Sequence, residues 1–386
     1  MAKRLSAALG VDIGTQSIKI AAVRLGKDGA VVTGLGIAPT PEGVVDHTGI
    51  FDPQPIGEAL KGLISSSGVG IRDVVFCLSG QSSVVVRILE VPRMSDSELT
   101  EHMHWEIQRN VPFSESNTVS DFRPVDNPAL ANSTNMEVVM AVSPRSAIDN
   151  VITLMRAAGC KAGAIDVEPL GLGRVLRSCH MSDLGGKNSC VVHIGHSSTA
   201  INMYREGTLA FPRSIPLGGS VLTKAIAETL SIGMAEAENM KVNEASVGGG
   251  GGQLTTGAQA TYQPFAEGDS GEAQATPEPV AVAAVGDPRI QQAMQPHLEE
   301  FVAEVRRSID YFKSRGGEVE EIGLSGGGAN LRGLADFLNR SLGYPVKIVN
   351  PLQGVEVALS GDETFARQNA SQFAVAIGMG LHIAYE

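Results

Sequence analysis

Two similar blocks of sequence limit the fold of this chain more than any other feature. Each block predicts a β-strand, a tight turn that contains glycine and a hydroxyl side chain, and two further strands. We interpret the blocks as an internal repeat rather than as two unrelated meanders, because the chemistry of the turns matches as well as the spacing. The predicted strands lie at residues 9–13, 18–24 and 30–37 in the first block and at 190–194, 200–205 and 209–215 in the second.

Helices are predicted after each block, which indicates an α/β fold with two similar lobes. Ser95 and Glu98 have the spacing of a capping box and predict a helix that ends at Gln108, before Pro112. Near the end of the chain, a strand at 322–325 and three glycines are followed by a predicted helix at 329–340. The remaining predicted helices lie at residues 56–65, 220–230, 235–241 and 290–313.

Composition excludes several classes of protein. The formal net charge of −12 predicts an acidic surface, which repels the phosphate backbone of nucleic acids. The four cysteines form no Cys-x-x-Cys pair, so a chain of 386 residues is no disulfide scaffold and suits a reducing cytosol. The most apolar stretch, residues 373–385, is shorter than the about 20 residues that span a membrane. We therefore expect a cytoplasmic protein of two or three domains with no membrane span and no nucleic-acid partner.

Residues 243–288 differ in composition from the rest of the chain. They contain no Lys or Arg and include the run of five glycines at 248–252. A segment of this kind buries too little apolar surface to offset its ordering entropy. We expect a disordered loop inserted into a folded unit.

The turns of the two blocks carry residues suited to phosphate. Backbone N–H groups of a glycine-containing hairpin approach phosphate oxygens closely. Lys19 adds a positive charge, and Asp12 is suited to orient a hydrated Mg²⁺. Two such hairpins facing each other would clamp a triphosphate; the alternative is that they are surface hairpins. The predicted phosphate-binding residues are Asp12, Gly14, Thr15, Gln16, Ser17, Lys19, Gly195, His196, Ser197, Ser198 and Thr199.

Two further groups suit the remainder of a nucleotide. Gly326, Gly327 and Gly328 with Asn330 would let an adenine lie against bare backbone at a helix start. Glu238 and Lys241 lie three positions apart on one helical face and suit ribose hydroxyls, the alternative being a surface salt bridge. The Walker A pattern is absent, and the glycines at 171 and 173 do not complete a dinucleotide fingerprint.

Taken in order, these elements resemble the motifs of the actin-like ATPase superfamily. Asp12-x-Gly14 resembles its first phosphate motif, the pair at 194–195 its second, and residues 324–328 its adenosine motif. Val167-Glu168-Pro169 resembles the connecting motif, and the resemblance implies that Glu168 has the catalytic role of positioning the attacking water.

Further stretches resemble the PilM family of type IV pilus assembly proteins within this superfamily. The resemblance implies an actin-like two-lobed fold of duplicated RNase H-like domains, with the extra subdomain that PilM and FtsA proteins have. The resembling stretches are residues 91–99, 105–106, 111–113, 215–219, 237–241 and 374–378. The implied units are the first lobe at 1–85 (completed by about 167–188), the subdomain at 86–166, the second-lobe core at 189–220 and 321–386, and its cap at 221–320.

The resemblance also implies a function. It implies that ATP or ADP binds, with Gly218 and Gly219 among the contacts. The implied partner is a PilN-like inner-membrane protein, whose N-terminal peptide holds this chain at the cytoplasmic face of the inner membrane. Other pilus platform proteins or ATPases and self-association are left open. An FtsA-like division protein and a sugar kinase on the same fold are the alternatives.

The resemblance places that peptide in a groove between the first lobe and the subdomain. Trp105 and Phe113 are the aromatic residues expected to anchor it. The alternative is that both aromatic side chains fill the core of the subdomain.

One position departs from the superfamily pattern. His193 stands where the second phosphate motif usually has an aspartate that holds a Mg²⁺-bound water. Imidazole is a poor ligand for Mg²⁺, so we expect a weakened magnesium site that keeps only Asp12, and ATP hydrolysis that is weak or absent. The alternative is that His193 faces away from the pocket and is only packed. With an ordinary pKa near 6.5, a protonated His193 is expected to repel the metal below about pH 6.5. Zinc binding by Cys190, His193 and His196 is not favoured, because Cys190 and His193 lie on opposite faces of a strand.

Overall fold

The first sequence block forms a three-stranded meander in the computed structural model, which describes residues 5–110, 117–247, 287–359 and 363–385. The meander strands run antiparallel, and a fourth strand then pairs in parallel with the first. The helix between them begins at an N-cap, where the side chain of Asp52 accepts a hydrogen bond from the N–H of Gln54. The elements are β1 (Ala7–Ile13), β2 (Ser17–Leu25), β3 (Ala30–Pro39), α1 (Pro53–Ser66) and β4 (Asp73–Leu78).

A small separate unit follows, called the subdomain (residues 85–144) below. Its antiparallel sheet has the order β5-β7-β6, and Leu99 and Met103 of α2 fill a core shared with this sheet. The predicted interaction between Ser95 and Glu98 forms, since the Ser95 N–H donates to Glu98 Oε2 at 2.9 Å. Phe113 lies outside the described residues. The elements are β5 (Val85–Pro92), α2 (Asp96–Asn110), β6 (Thr118–Val125) and β7 (Asn135–Pro144).

The chain then returns to the first lobe through α3 (Arg145–Ala157), β8 (Lys161–Val167) and α4 (Glu168–Cys179). Helix α3 packs on α1, and β8 pairs in parallel with β4. Residues 145–166, which the sequence assigns to the subdomain, therefore pack in the first lobe. The reason is that the apolar residues of α3 belong to the core that α1 and the first-lobe sheet share.

The second block repeats the first. Its three strands again form an antiparallel meander, and a later strand again pairs in parallel with the first of them. This shared topology confirms the internal repeat that the turn chemistry predicts. The elements are β9 (Asn188–Ile194), β10 (Thr199–Arg205), β11 (Thr208–Ile215), α5 (Gly219–Leu230), α6 (Met234–Asn243), α7 (Pro288–Ser314) and β12 (Glu321–Ser325).

The segment between α6 and α7 differs at its ends from the predicted insert at 243–288. Ala245 and Val247 are buried in the core of the second lobe, and the Val247 N–H donates to the carbonyl oxygen of Arg332 at 2.8 Å. The prediction of an unpacked insert is therefore wrong for residues 243–247, because these two apolar side chains fill space in the core of the second lobe. It is also wrong for residues 287–288, where Asp287 caps α7 and Pro288 begins it. The rest of the predicted insert, residues 248–286, lies outside the described residues.

The last part of the chain joins the two lobes. Strand β13 pairs with β12, whereas β14 pairs with β3 of the first lobe, and α10 is buried along its whole length. The predicted helix start at residue 329 is wrong. Residues Gly327–Asn330 form one 3-10 turn, and Gly333, with a φ of +77°, precedes the true helix. The elements are α8 (Leu334–Leu342), β13 (Val346–Ile348), β14 (Glu356–Val357), α9 (Glu363–Gln368) and α10 (Ala374–Gly380).

Two glycines let α4 and α10 cross in close contact. A Cβ atom on Gly378 would lie 2.3 Å from the carbonyl oxygen of Gly171, a distance at which no side chain fits. Gly171 therefore serves helix packing, whereas a Cβ atom on Gly173 would lie 3.0 Å from the carbonyl oxygen of Gly207, in the turn after β10. Among the described residues, none of the helices has both the length and the apolarity that crossing a membrane requires.

Candidate functional site

A cleft of about 1070 Å³ lies between the two lobes. It is lined from both sides by residues that the sequence predicts for the site. The predicted residues that line it are Asp12, Gly14, Thr15, Gln16, Ser17, Lys19, Glu168, Gly195, His196, Ser197, Ser198, Gly218, Gly219, Glu238, Lys241, Gly326, Gly327, Gly328 and Asn330.

Thr199 is the exception among the predicted residues. Its side chain is fully buried, and its Oγ1 donates a hydrogen bond to the carbonyl oxygen of Leu217 at 2.6 Å. The prediction that Thr199 contacts a ligand is wrong, because side chains alternate along a strand and that of Thr199 points into the lobe. It instead holds the loop that leads to Gly218 and α5.

The two turns are closed by the same kind of backbone hydrogen bond. In the first hairpin (residues 14–17), the Gly14 N–H donates to the carbonyl oxygen of Ser17 at 3.0 Å. In the second hairpin (residues 195–198), the Gly195 N–H donates to the carbonyl oxygen of Ser198 at 2.9 Å. The hairpins meet across the cleft, where Thr15 Oγ1 donates to Ser197 Oγ at 3.2 Å. Backbone and hydroxyl donors from both lobes therefore converge on one region.

Two carboxyl groups lie on the first-lobe side of that region. Asp12 is the next-to-last residue of β1, with its Oδ2 3.8 Å from Lys19 Nζ, and Glu168 begins α4. Burial raises the pKa of Asp12, and the Lys19 charge opposes this increase. Burial and the charge of Asp12 raise the pKa of Glu168 to about 8, although a hydrogen bond from Asn202 opposes the shift. Glu168 therefore holds a proton at neutral pH while no cation is near.

His193 lies half-buried in the cleft wall, with Nδ1 3.0 Å from Ser325 Oγ. Burial, together with the Lys19 charge, lowers the pKa of His193 to about 3. The prediction that its protonated form grows below about pH 6.5 is therefore wrong, because the surrounding protein disfavours the charged imidazole. Within the part of the chain that the structure describes, no group of three or more His, Cys, Asp and Glu side chains is placed to hold a metal ion.

Glu238 and Lys241 line the other side of the cleft and also form an ion pair of 2.7 Å. Lys241 Nζ donates further hydrogen bonds to the carbonyl oxygen of Gly219 and to Thr223 Oγ1. Burial raises the pKa of Glu238, but hydrogen bonds from Lys241 and Thr223 outweigh it, so the pKa is lowered. The two side chains therefore face the cleft as an ion pair whose lysine is held by three partners. The pair is a fixed, charged part of the wall.

The glycine loop after β12 forms the end of the cleft. Gly326 has a φ of +84°, and a Cβ atom there would lie 2.4 Å from the carbonyl oxygen of Ile194. This contact keeps the loop against β9. Asn330 is oriented by Ser371, whose Oγ donates to Asn330 Oδ1 at 2.8 Å.

Sequence reasoning missed several residues of the wall. Asp46 and His47 come from the loop after β3, and Ser79 follows β4. His297 and Phe301 of α7 also line the cleft. No local pattern marks these residues, because only the packing of distant segments brings them to the site. The one available signal is the glycine at 80, whose absent side chain lets its loop approach the carbonyl oxygen of Thr48.

The residues fit a polyphosphate ligand. The glycines in both hairpins leave backbone donors uncovered by side chains, and Thr15, Ser197 and Lys19 add polar and positive groups. A Mg²⁺ ion bound with such a ligand would find the carboxyl oxygens of Asp12, reached through water.

Comparison with known families identifies two related groups. The family described as "Type IV pilus assembly protein PilM" matches residues 10–248, and the family of cell division protein FtsA matches residues 190–378. Among curated proteins, FtsA of Neisseria meningitidis is 24% identical over 272 residues, which cover 68% of this chain and 57% of that protein. FtsA of Enterococcus faecalis is 24% identical over 371 residues, covering 89% and 78%.

Solved structures share the whole architecture. A chain of the "PilM-PilN type IV pilus biogenesis complex" superposes with a TM-score of 0.79 and 25% identity, over 99% of both chains. The ethanolamine utilization protein EutJ of Carboxydothermus hydrogenoformans has a TM-score of 0.54 and 15% identity, covering 98% of this chain and 91% of that one. The fold is therefore the two-lobed actin-like fold that the sequence predicts.

Proposed function

Because the chain belongs to the PilM family of type IV pilus assembly proteins, we propose that it is an ATP-binding adaptor of the pilus assembly complex. In this proposal it works in the cytoplasm, held at the inner membrane by a PilN-like protein. The single observation that carries the nucleotide part is the convergence of the two hairpins, one from each lobe, on one cleft.

In this proposal the nucleotide lies across the cleft. The two hairpins hold the phosphates, Glu238 and Lys241 lie beside the ribose, and the glycines at 326–328 lie beside the base. Bound ATP would supply a transferable phosphoryl group. In this proposal hydrolysis is slow, because neutral His193 adds no negative charge for Mg²⁺.

Titration calorimetry of the purified protein with ATP, with and without Mg²⁺, tests the nucleotide part. We expect wild type to bind ATP and Lys241→Met to bind it at least about tenfold more weakly, since one cation of the cleft is lost. Lys224→Met is the matched control, because Lys224 forms an exposed ion pair with Glu228 on α5. No heat of binding in wild type would contradict the proposal.

The partner part of the proposal depends on the subdomain. Trp105 lies on α2 with its side chain 66% exposed, whereas Leu99 and Met103 of the same helix fill the core. The alternative in which Trp105 fills the core is therefore wrong, and an exposed tryptophan suits an anchor for a peptide. The solved relative was determined as a complex of PilM with PilN. We infer that the N-terminal peptide of a PilN-like protein binds beside α2.

Fluorescence anisotropy with a labelled N-terminal peptide of the PilN-like protein from the same organism tests this part. We expect Trp105→Ala to weaken binding at least about tenfold. Tyr311→Ala is the matched control, because Tyr311 is an exposed aromatic residue on α7 of the second lobe. Equal affinity of Trp105→Ala and wild type would contradict the placement of the peptide.

The sugar-kinase alternative needs a free carboxylate near the phosphate end of the cleft. Asp46 is the candidate there, but its Oδ1 accepts hydrogen bonds from the Thr48 N–H, Thr48 Oγ1 and the Gly49 N–H. These bonds hold the Asp46 side chain in its own loop, so it is not the free carboxylate that a sugar kinase needs. Incubation with labelled ATP and a panel of sugars separates the two functions, since phosphorylated sugar would refute the adaptor.

A further inference from the structure

Strand β10 connects the second hairpin to the first lobe. It begins directly after that hairpin and lies between β9 and β11, so both of its edges are hydrogen-bonded. Asn202 Nδ2 donates to Glu168 Oε1 at 3.4 Å, and two residues later the Tyr204 O–H donates to the carbonyl oxygen of Pro169 at 2.7 Å. Both bonds end on the first turn of α4. Because both edges of β10 are paired, the strand moves as one unit with the second hairpin, and its two bonds to α4 are the points about which it can turn.

The last residue of β10 reaches the subdomain. Arg205 Nη1 and Nη2 each lie 2.7 Å from a carboxylate oxygen of Glu137, in a bidentate pair. The two side chains are only 22% and 12% exposed. Glu137 lies on β7, the central strand of the subdomain sheet, and β5 of that sheet packs beside β11. A bidentate, partly buried pair of this kind has one favoured geometry.

We propose that the ion pair between Arg205 and Glu137 couples the nucleotide state of the cleft to the subdomain. The inference rests on the proposed ATP binding. A ligand that changes the separation of the lobes turns β10 about its two bonds to α4 and so shifts its end, Arg205, against the subdomain. The pair then favours one position of the subdomain over another, and a difference of this kind is what coupling between two sites requires.

Hydrogen–deuterium exchange of the full chain, with and without saturating ATP, tests the coupling. In wild type we expect ATP to change amide exchange in β5 and β7 at least about fivefold, the lower end of typical couplings. In Glu137→Gln and in Arg205→Gln, we expect calorimetry to show ATP binding and exchange in β5 and β7 to lose this response. The exchanged pair Glu137→Arg with Arg205→Glu is expected to restore part of it.

The matched control is Glu304→Gln, which breaks the ion pair between Arg213 and Glu304. That pair also has a distance of 2.7 Å and joins β11 to α7 within the second lobe. We expect the ATP response of the subdomain to persist in this variant. Variants of the Arg205–Glu137 pair that keep the full response, or a wild type that binds ATP without any response, would overturn the coupling alone. A wild type that does not bind ATP would overturn the proposed function and the coupling with it.

Discussion

Glu168 and His193 face the same cleft, and burial keeps both of them uncharged at neutral pH. The pKa of Glu168 is raised to about 8 and that of His193 is lowered to about 3. The same desolvation acts in opposite directions on an acid and a base. Burial also raises the pKa of Asp12, an increase that the Lys19 charge opposes, and the charge of Asp12 contributes to the raised pKa of Glu168.

Replacing Glu168 by glutamine is expected to stabilise the protein in a pH-dependent way. The pKa of Glu168 is raised above its unfolded value of 4.5, so folding takes up a proton between pH 4.5 and about 8. Wild type loses stability over that range, while Glu168→Gln does not carry this penalty. We expect the gain to be near zero at acid pH and on the order of 1–2 kcal/mol above about pH 8, after discounting for water contact.

Urea unfolding of wild type and Glu168→Gln across this pH range measures the difference. Glutamine keeps an oxygen that can accept from Asn202, so the comparison isolates the charge. A gain that is the same at every pH would show that Glu168 is not protonated in the folded protein.

Replacing His193 by aspartate is expected to strengthen magnesium binding. An aspartate offers the hard, charged oxygen that Mg²⁺ prefers, in the cleft that Asp12 and the hairpins also line. We expect the affinity for Mg²⁺ in the presence of ATP to rise at least about fivefold in His193→Asp. His193→Asn is the matched control of similar size, without the charge, and is expected to resemble wild type.

Calorimetric titration with Mg²⁺ measures this change. Because the pKa of His193 is lowered to about 3, wild type is expected to show no step in magnesium affinity near the ordinary imidazole value of about 6.5. Equal affinity in His193→Asp and His193→Asn would show that residue 193 does not face the metal.

At the scale of elements, the crossing of α4 and α10 depends on one backbone contact. A Cβ on Gly378 would meet the carbonyl oxygen of Gly171 at 2.3 Å, and backbone cannot move aside without shifting a helix. We expect Gly378→Ala to destabilise the fold by about 1–3 kcal/mol.

Gly171→Ala is the matched control, because its Cβ would first meet the flexible end of Met379, at 2.4 Å. Thermal unfolding of both variants should give the larger loss for Gly378→Ala. The reverse order would mean that the side chain of Met379 cannot move and that the helices can.

At the scale of the whole molecule, the cleft belongs to both lobes. A ligand held by the first and second hairpins together must order both at once, and the hydroxyls of Thr15 and Ser197 already meet. We expect ATP to slow amide exchange in β1–β2 and in β9–β10 along one titration curve, with a common midpoint. Protection of one lobe alone would contradict a site shared between the lobes.

At 100 times the dissociation constant, bound ATP is expected to add about 2.7 kcal/mol to the free energy of unfolding.

The elements that depend only on neighbouring residues could be predicted from the sequence alone. The repeated meander and the glycine hairpins depend on alternation and turn chemistry, which neighbouring residues carry. Nearly all predicted site residues line one cleft for the same reason: each belongs to a turn or helix start that a short pattern marks. The prediction for Thr199 was wrong, because its position on a strand, and not the motif, determines where its side chain points.

The features that depend on contacts between distant segments became visible only in the tertiary structure. The pKa values of Glu168 and His193 come from burial between lobes, which no sequence pattern measures. The inclusion of Asp46 and Phe301 in the cleft and the pairing of Arg205 with Glu137 each join segments far apart in the chain. Burial and charge depend on which surfaces meet, and that is determined when the lobes pack and not by the residues alone.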